Sequence, residues 1–253
     1  MPIVKTGSKI IYYAHVPKCG GSAVQDYLTN RFGPLAFEDR RHTTHEPKAL
    51  WSRTSPQHID KQSLSRLFPP GFFDAQFTIV RHPVARIVSA YHFQLEVEEK
   101  ISKQTNFHEW LLELEEGLAE DPFRFDNHVR PMSDIVPEDT RVFHLEHGLD
   151  ALVPFFDDIV GSKSPPRSVG HTNKRGDFAK TSGEKVVPSG EDIKVISSIY
   201  GEDFERFGYL IGEKMPLAQK PYLSPSYLKE RDADRERASS GLQRVRSALR
   251  RFT

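Results

Sequence analysis

The chain has 253 residues, enough to bury one substantial core, and its 35 basic and 35 acidic residues cancel in formal charge. That balance excludes a global basic field for nucleic acid and leaves only local patches. The one cysteine, Cys19, excludes an internal disulfide, and no apolar run approaches the roughly 20 residues of a membrane span. The first ten residues, MPIVKTGSKI, carry no apolar signal segment, so a cytoplasmic protein is expected.

In chain order, Ile10–Val16 reads as a short buried strand entering a glycine turn at Pro17–Ser22. Ala23, Val24, Tyr27, Leu28 and Phe32 then follow helical spacing. The stretch 33–70 is polar, rich in histidine and broken by prolines. It predicts irregular structure with one helix near Asp60–Leu67. Ala75–Val80 is a second strand, and Pro83 is placed to open a helix running to about Glu99. A helix is expected over Asn106–Leu118, a short strand over Arg141–Leu145, and helices over Gly148–Phe156 and Glu191–Phe204. The stretch 163–188 is a polar loop region. From about Gly212 a proline-containing linker leads into a charged tail. Strands alternating with helices predict an α/β fold, a largely parallel sheet flanked by helices. The irregular stretches are insertions around it. The expected division is one domain over 1–211, then a linker and helical tail over 212–253.

The segment His15-Val16-Pro17-Lys18-Cys19-Gly20-Gly21-Ser22 has the make-up of an anion site. Glycines permit close backbone approach, and the amides opening a helix point at the ligand with the positive end of the helix dipole. Lys18 adds a full charge and Ser22 a hydroxyl donor. Lys18 precedes the glycines instead of following them, so this is not the nucleotide loop of ordinary ATPases and kinases. A tight turn with a solvated lysine is the bland alternative. In the second segment, Arg81-His82-Pro83-Val84-Ala85-Arg86-Ile87-Val88-Ser89-Ala90-Tyr91, Arg81 falls at a strand end, the usual ligand edge of a parallel sheet. Its guanidinium can grip a phosphate through paired hydrogen bonds. Ser89 lies two helical turns on and can face the same phosphate. Arg86 is expected to tie the helix to nearby carboxylates.

Together, the two segments resemble the sulfotransferases that use 3′-phosphoadenosine 5′-phosphosulfate (PAPS). The carbohydrate branch, which includes heparan sulfate 2-O-sulfotransferase and its bacterial relatives, is the nearer likeness. The first segment is similar to that family's 5′-phosphosulfate loop, with Cys19 where Thr is commoner. The second is similar to its 3′-phosphate motif, R-D/N-P-x-x-R-x-x-S-x-Y, with His82 in place of Asp or Asn. Weaker likenesses are Asp126–Met132 on the acceptor side, Phe143–Glu146 as a later strand, His171–Arg175 as a loop over the nucleotide, and Tyr200–Tyr209 as a terminal helix. The resemblance spans residues 8–211.

What the resemblance implies is a P-loop-type sheet binding PAPS and releasing the bisphosphate PAP, without a metal. Lys18 would contact the 5′-phosphate and the bridging oxygen. Cys19, Gly20, Gly21, Ser22 and Ala23 would cradle the phosphosulfate, and Arg81 and Ser89 would hold the 3′-phosphate. Asn173 and Lys174, with Arg175 beside them, would close over the nucleotide. His58, between the two motifs and before an amphipathic stretch, resembles in placement the catalytic histidine of that branch, which implies it as the base for the acceptor hydroxyl; an imidazole with an unperturbed pKa of about 6.5 suits that work. His15, His42 and His45 are the rival histidines, and a glutamate base is a minor alternative. His128 and Arg130 are candidates for acceptor binding, and Glu146 for a structural anchor. The expected partner is a carbohydrate or glycolipid, with no nucleic acid. In the tail, Leu242, Val245, Leu249 and Phe252 share one helical face among arginines. Both a solvated helix and peripheral contact with an anionic membrane are open readings of it. Two other functions stay open at this point: a kinase-like phosphotransferase, and a non-catalytic nucleotide- or glycan-binding module.

Overall fold

The computed structural model describes residues 1–39, 41–46, 50–170 and 186–249, with side chains of 43 and 241–249 excepted. Four strands form one sheet in the order β1-β2-β3-β4: β1 (Ile3–Thr6), β2 (Lys9–Ala14), β3 (Ala75–Val80) and β4 (Arg141–His144). The β2–β3 and β3–β4 pairs are parallel, with Tyr13 opposite Phe77 and Ile79 opposite Phe143. The β1–β2 pair is antiparallel, closed by a turn in which Gly7 has φ 56. The sheet is therefore mixed. The sequence reading lacked β1, whose two apolar residues, Ile3 and Val4, give too short a period to stand out.

Both faces of the sheet are covered, which a strand's alternation makes visible. Ile11 and Tyr13 belong to the main apolar cluster, while Tyr12 and Ala14 belong to a second one with Met1, Ile3, Ile59 and Leu64. The main cluster gathers side chains from α1 (Gly21–Phe32), α3 (Pro83–Glu96), α4 (Phe107–Glu120), α6 (Leu152–Val160) and α7 (Gly190–Arg206). The second is closed by the short α2 (Lys61–Leu67).

Local chemistry sets the helix starts. Asp60 caps α2 by accepting the Ser63 amide at 3.0 Å. Asn106 and Glu109 form a capping box on α4, as Ser189 and Asp192 do on α7. Pro83 opens α3, and His82 Nδ1 accepts the Val84 amide at 3.3 Å, the duty an Asp or Asn performs at an N-cap. The one-turn α5 (Met132–Ile135) is held by buried Asp203 of α7, whose carboxylate accepts the amides of Met132 and Ser133, each at 2.8 Å.

The last helix, α8 (Pro225–Leu249), docks its first turns onto the rest of the chain. Arg167 bonds both Asp157 and Glu230, Arg231 and Arg235 reach Asp150, and the buried Tyr227 hydroxyl donates to the Asp150 carbonyl. The apolar face expected from Leu242 to Phe252 lies outside the described side chains. Among the described residues no helix is long and apolar enough to cross a membrane.

Candidate active site

A cavity of about 860 Å³ opens where β2 and β3 end. Its wall includes Lys18 and Gly20 from the turn after β2, Gly21, Ser22 and Ala23 from the start of α1, Arg81 and Ser89 from the second motif, and His58 and His128. The parallel pairing of β2 with β3 brings the two motifs together: the strands end side by side, so the loops leaving them share one edge. The Arg81 guanidinium donates to the Lys18 carbonyl at 3.2 Å, a direct tie between them.

The turn is shaped for close approach. Lys18 has φ 68 and Gly20 φ 85, so the chain is left-handed on either side of Cys19. Gly20 caps α1 with no side-chain hydrogen bond, and α1 has no acidic residue in its first turn. The amides of that turn lack partners within the helix and are available to an anion. Gly21 is required for a packing reason as well. A Cβ there would lie 1.8 Å from Nε2 of His15. Cys19 turns its side chain into the core, where burial pushes the thiol up to about 12.

Lys18 holds its ammonium 3.6 Å above the Phe93 ring. Burial, then the neighbouring Arg81 charge, lowers its pKa to about 8. Among the described residues no carboxylate pairs with it. A cation so desolvated, beside a second cation, is a receptor for an anion.

Opposite stands a polar cluster built on His58. Its Nδ1 lies 2.7 Å from Oδ2 of Asp126 and 3.0 Å from Oγ of Ser55. Ser55 donates to Asp126 through its hydroxyl and its amide, each at 2.6 Å. Burial pushes the Asp126 carboxyl up, but these hydrogen bonds and the His58 charge outweigh it and hold the group well below the usual carboxylate range. Phe125, Asp126 and Asn127 are all left-handed (φ 52, 54 and 60), and the Asn127 side chain donates to the His58 carbonyl at 2.8 Å. This left-handed segment thus holds His58 at its ring nitrogen through Asp126 and at its backbone carbonyl through Asn127. The rings of His15 and His128 lie 5.0 and 4.9 Å from that of His58. Burial, then the His58 charge, drives both of their pKa values well below 6.5 and keeps them neutral. His58, Asp126 and His128 also offer ligand atoms within 4.8 Å of one another, the spacing of a metal-capable group.

Other expected residues fall elsewhere. Arg130 is not on the cavity wall: it bonds Asp134 at 3.2 Å and lies over the Phe123 ring. His128 lines the cavity, whereas the Arg130 side chain is held by Asp134, with Asp60 at 3.9 Å. Arg86, 1 % exposed, bonds carbonyls and not the expected carboxylates, reaching Pro17, His128 and Arg130. It rivets the phosphate-type turn to the His128 segment. Glu146 anchors, accepting the His82 amide at 2.8 Å and the Tyr209 hydroxyl at 2.9 Å. Of the rival histidines, His15 and His42 line the cavity, while His45 pairs with Asp39 on an exposed loop. Asn173, Lys174 and Arg175 lie outside the described residues. Asp126, Ser55 and Phe93 escaped the sequence reading as site residues. Asp126 falls inside the acceptor-side segment 126–132, but no spacing signal links it to His58.

A scan against protein families matches the description "Sulfotransferase family" over residues 2–210. No curated protein and no solved structure matches the chain. The family match covers most of the 253 residues, including both motifs and every described residue on the wall of the cavity, and the chain belongs to the sulfotransferase family.

Proposed function

We propose that the protein transfers the sulfuryl group of PAPS to a hydroxyl of a carbohydrate or glycolipid by in-line displacement, with His58 as the base. The observation that carries this reading is the convergence of Lys18, Arg81 and His58 on one cavity. When bound, PAPS supplies an activated sulfuryl group on a phosphate leaving group, and the chain's task is alignment and charge stabilisation.

The residues present fit that donor. The glycine turn offers amides that nothing in α1 occupies, and Gly21 leaves no room for a side chain between that turn and His15. Lys18, desolvated and without a carboxylate partner among the described residues, would stand at the 5′-phosphate and the bridging oxygen, where charge builds during transfer. Arg81 and Ser89 would hold the 3′-phosphate and so separate PAPS from ATP. Asp126 is a positioning residue: it accepts from Nδ1 of His58, which leaves Nε2 to take the acceptor proton. Asn173 and Lys174 retain their proposed place over the nucleotide. Residues 1–211 are proposed as the catalytic unit and 212–253 as a tail docked through α8.

The direct assay is transfer from labelled PAPS to hydroxyl acceptors. His58→Ala should lower turnover by about 10²–10⁴-fold, the usual contribution of a general base, while PAP affinity stays as in the wild type. Unchanged turnover would remove His58 from the mechanism.

A further inference from the structure

Lys18 is held at both ends. The Arg81 guanidinium donates to its carbonyl at 3.2 Å, and its ammonium lies 3.6 Å above the centre of the Phe93 ring. The ring comes from α3, one turn beyond Ser89, and both residues line the cavity. The groups whose charges act on Lys18 are Arg81, Cys19, Glu98 and His128. None of them is bonded to it as a counter-ion. Arg81 has the same sign, burial keeps the Cys19 thiol protonated, and burial keeps His128 neutral. Glu98, the one carboxylate among them, pairs with Lys100 at 3.3 Å. Among the described residues the ammonium therefore rests on the ring face and on no carboxylate.

An aromatic face attracts a cation through its quadrupole, and more strongly where water is kept away. It differs from a carboxylate in two ways. It carries no net charge, so it does not repel an incoming anion. It covers one side of the ammonium only, so a phosphate oxygen can add its charge-assisted bond without displacing a rival. We propose that Phe93 is a positioning residue for donor binding: its ring face holds the Lys18 ammonium at the glycine turn in place of a carboxylate, before and after the anion arrives. The proposal rests on the sulfuryl-transfer reading for the identity of that anion. Phe93 acts through Lys18 and needs no contact with the reacting atoms. Its ring keeps the amine charged where burial and Arg81 favour the neutral form.

The test reads Lys18 directly, by NMR titration of its labelled side chain in the full chain, with Lys18→Met assigning the signal. Phe93 alone is replaced by phenylalanines carrying one, three or five fluorines, which drain negative charge from the ring face and nearly keep its shape. The Lys18 pKa, about 8 in the wild type, should fall stepwise, by about half a unit to one and a half units at five fluorines. PAP affinity, measured by calorimetry at about pH 9, should weaken in step by about three- to thirtyfold, and at about pH 6 should stay within about twofold of the wild type. A ring with a merely structural role would leave the Lys18 pKa unmoved, and that result overturns the proposal. So does a PAP affinity that ignores the fall in pKa, or that weakens equally at both pH values. Phe93→Glu supplies the carboxylate itself. It should raise the Lys18 pKa and weaken PAP binding at neutral pH by about tenfold or more, because the anion then meets a like charge. Equal or tighter PAP binding in that variant overturns the proposal as well. Should Phe93→Glu fail to fold, the fluorinated series decides alone. Absence of PAP binding by the wild type at any pH would defeat the donor reading, while the fluorine dependence of Lys18 would still decide whether the ring holds the ammonium.

Discussion

At the residue scale, three side chains carry separable duties. Gly21 lets the turn close against His15, so Gly21→Ala should lower stability by about 1–3 kcal/mol, the range for overpacking, and weaken PAP binding as the turn is displaced. Thermal melts and PAP titration check this. Restored stability in the Gly21→Ala/His15→Ala double variant would locate the clash. Asp126→Asn keeps shape but removes the acceptor of the His58 proton. It should lower kcat by about tenfold or more with little change in PAP affinity, and it should distort the pH–rate profile, which mere loss of packing would not do. For Lys18 the sign runs from its depressed pKa of about 8. Below that value the ammonium is charged and ready for the anion. Above it, binding must first take up a proton, because the anion favours the charged form. PAP affinity should therefore fall as pH rises through about 8, a dependence the Lys18→Met variant should lose.

At the scale of elements, the site is assembled by ties between segments distant in sequence. Asp203 on α7 satisfies two amides at the start of α5, and Arg86 on α3 satisfies carbonyls on both sides of the cavity. Asp203→Ala would orphan two buried donors and should cost about 2–4 kcal/mol, measurable by denaturant unfolding. The features legible in the sequence are local ones, not these long-range ties. Strand β3 has the expected bounds, and the starts of α2, α3 and α4 are recognisable from the caps Asp60 and Asn106 and from Pro83 at the first helical position. Local chemistry determines these features. The partnership of His58 with Asp126 was not legible, because the two are 68 residues apart and meet only through the fold. Arg130 lies off the cavity wall for a related reason. Nearness in sequence to His128 does not hold its side chain on the same side once the chain turns into α5. Strand β1 was hidden by its length, and its antiparallel pairing depends on a glycine turn whose significance appears only with β2 beside it.

At the scale of the molecule, the parallel core of the sheet places two strand ends together, and that juxtaposition makes one cavity out of two short motifs. The docked part of α8 contributes stability away from this cavity. Arg167→Ala would remove the shared partner of Asp157 and Glu230 and should cost about 1–2 kcal/mol, less than an orphaned buried charge because Asp157 keeps Arg31 and Glu230 keeps Lys163, with PAP binding unchanged. The claim on which the account depends is that Lys18 and Arg81 hold opposite ends of one adenosine bisphosphate. Calorimetric titration of PAP against adenosine 5′-monophosphate, in the wild type and in Arg81→Ala, tests it most directly. PAP should bind the wild type about tenfold or more tightly than the monophosphate, the scale of a charge-assisted contact to the added phosphate, and Arg81→Ala should bring the two affinities together. Equal affinities in the wild type, or a preference for PAP untouched by Arg81→Ala, would contradict the account.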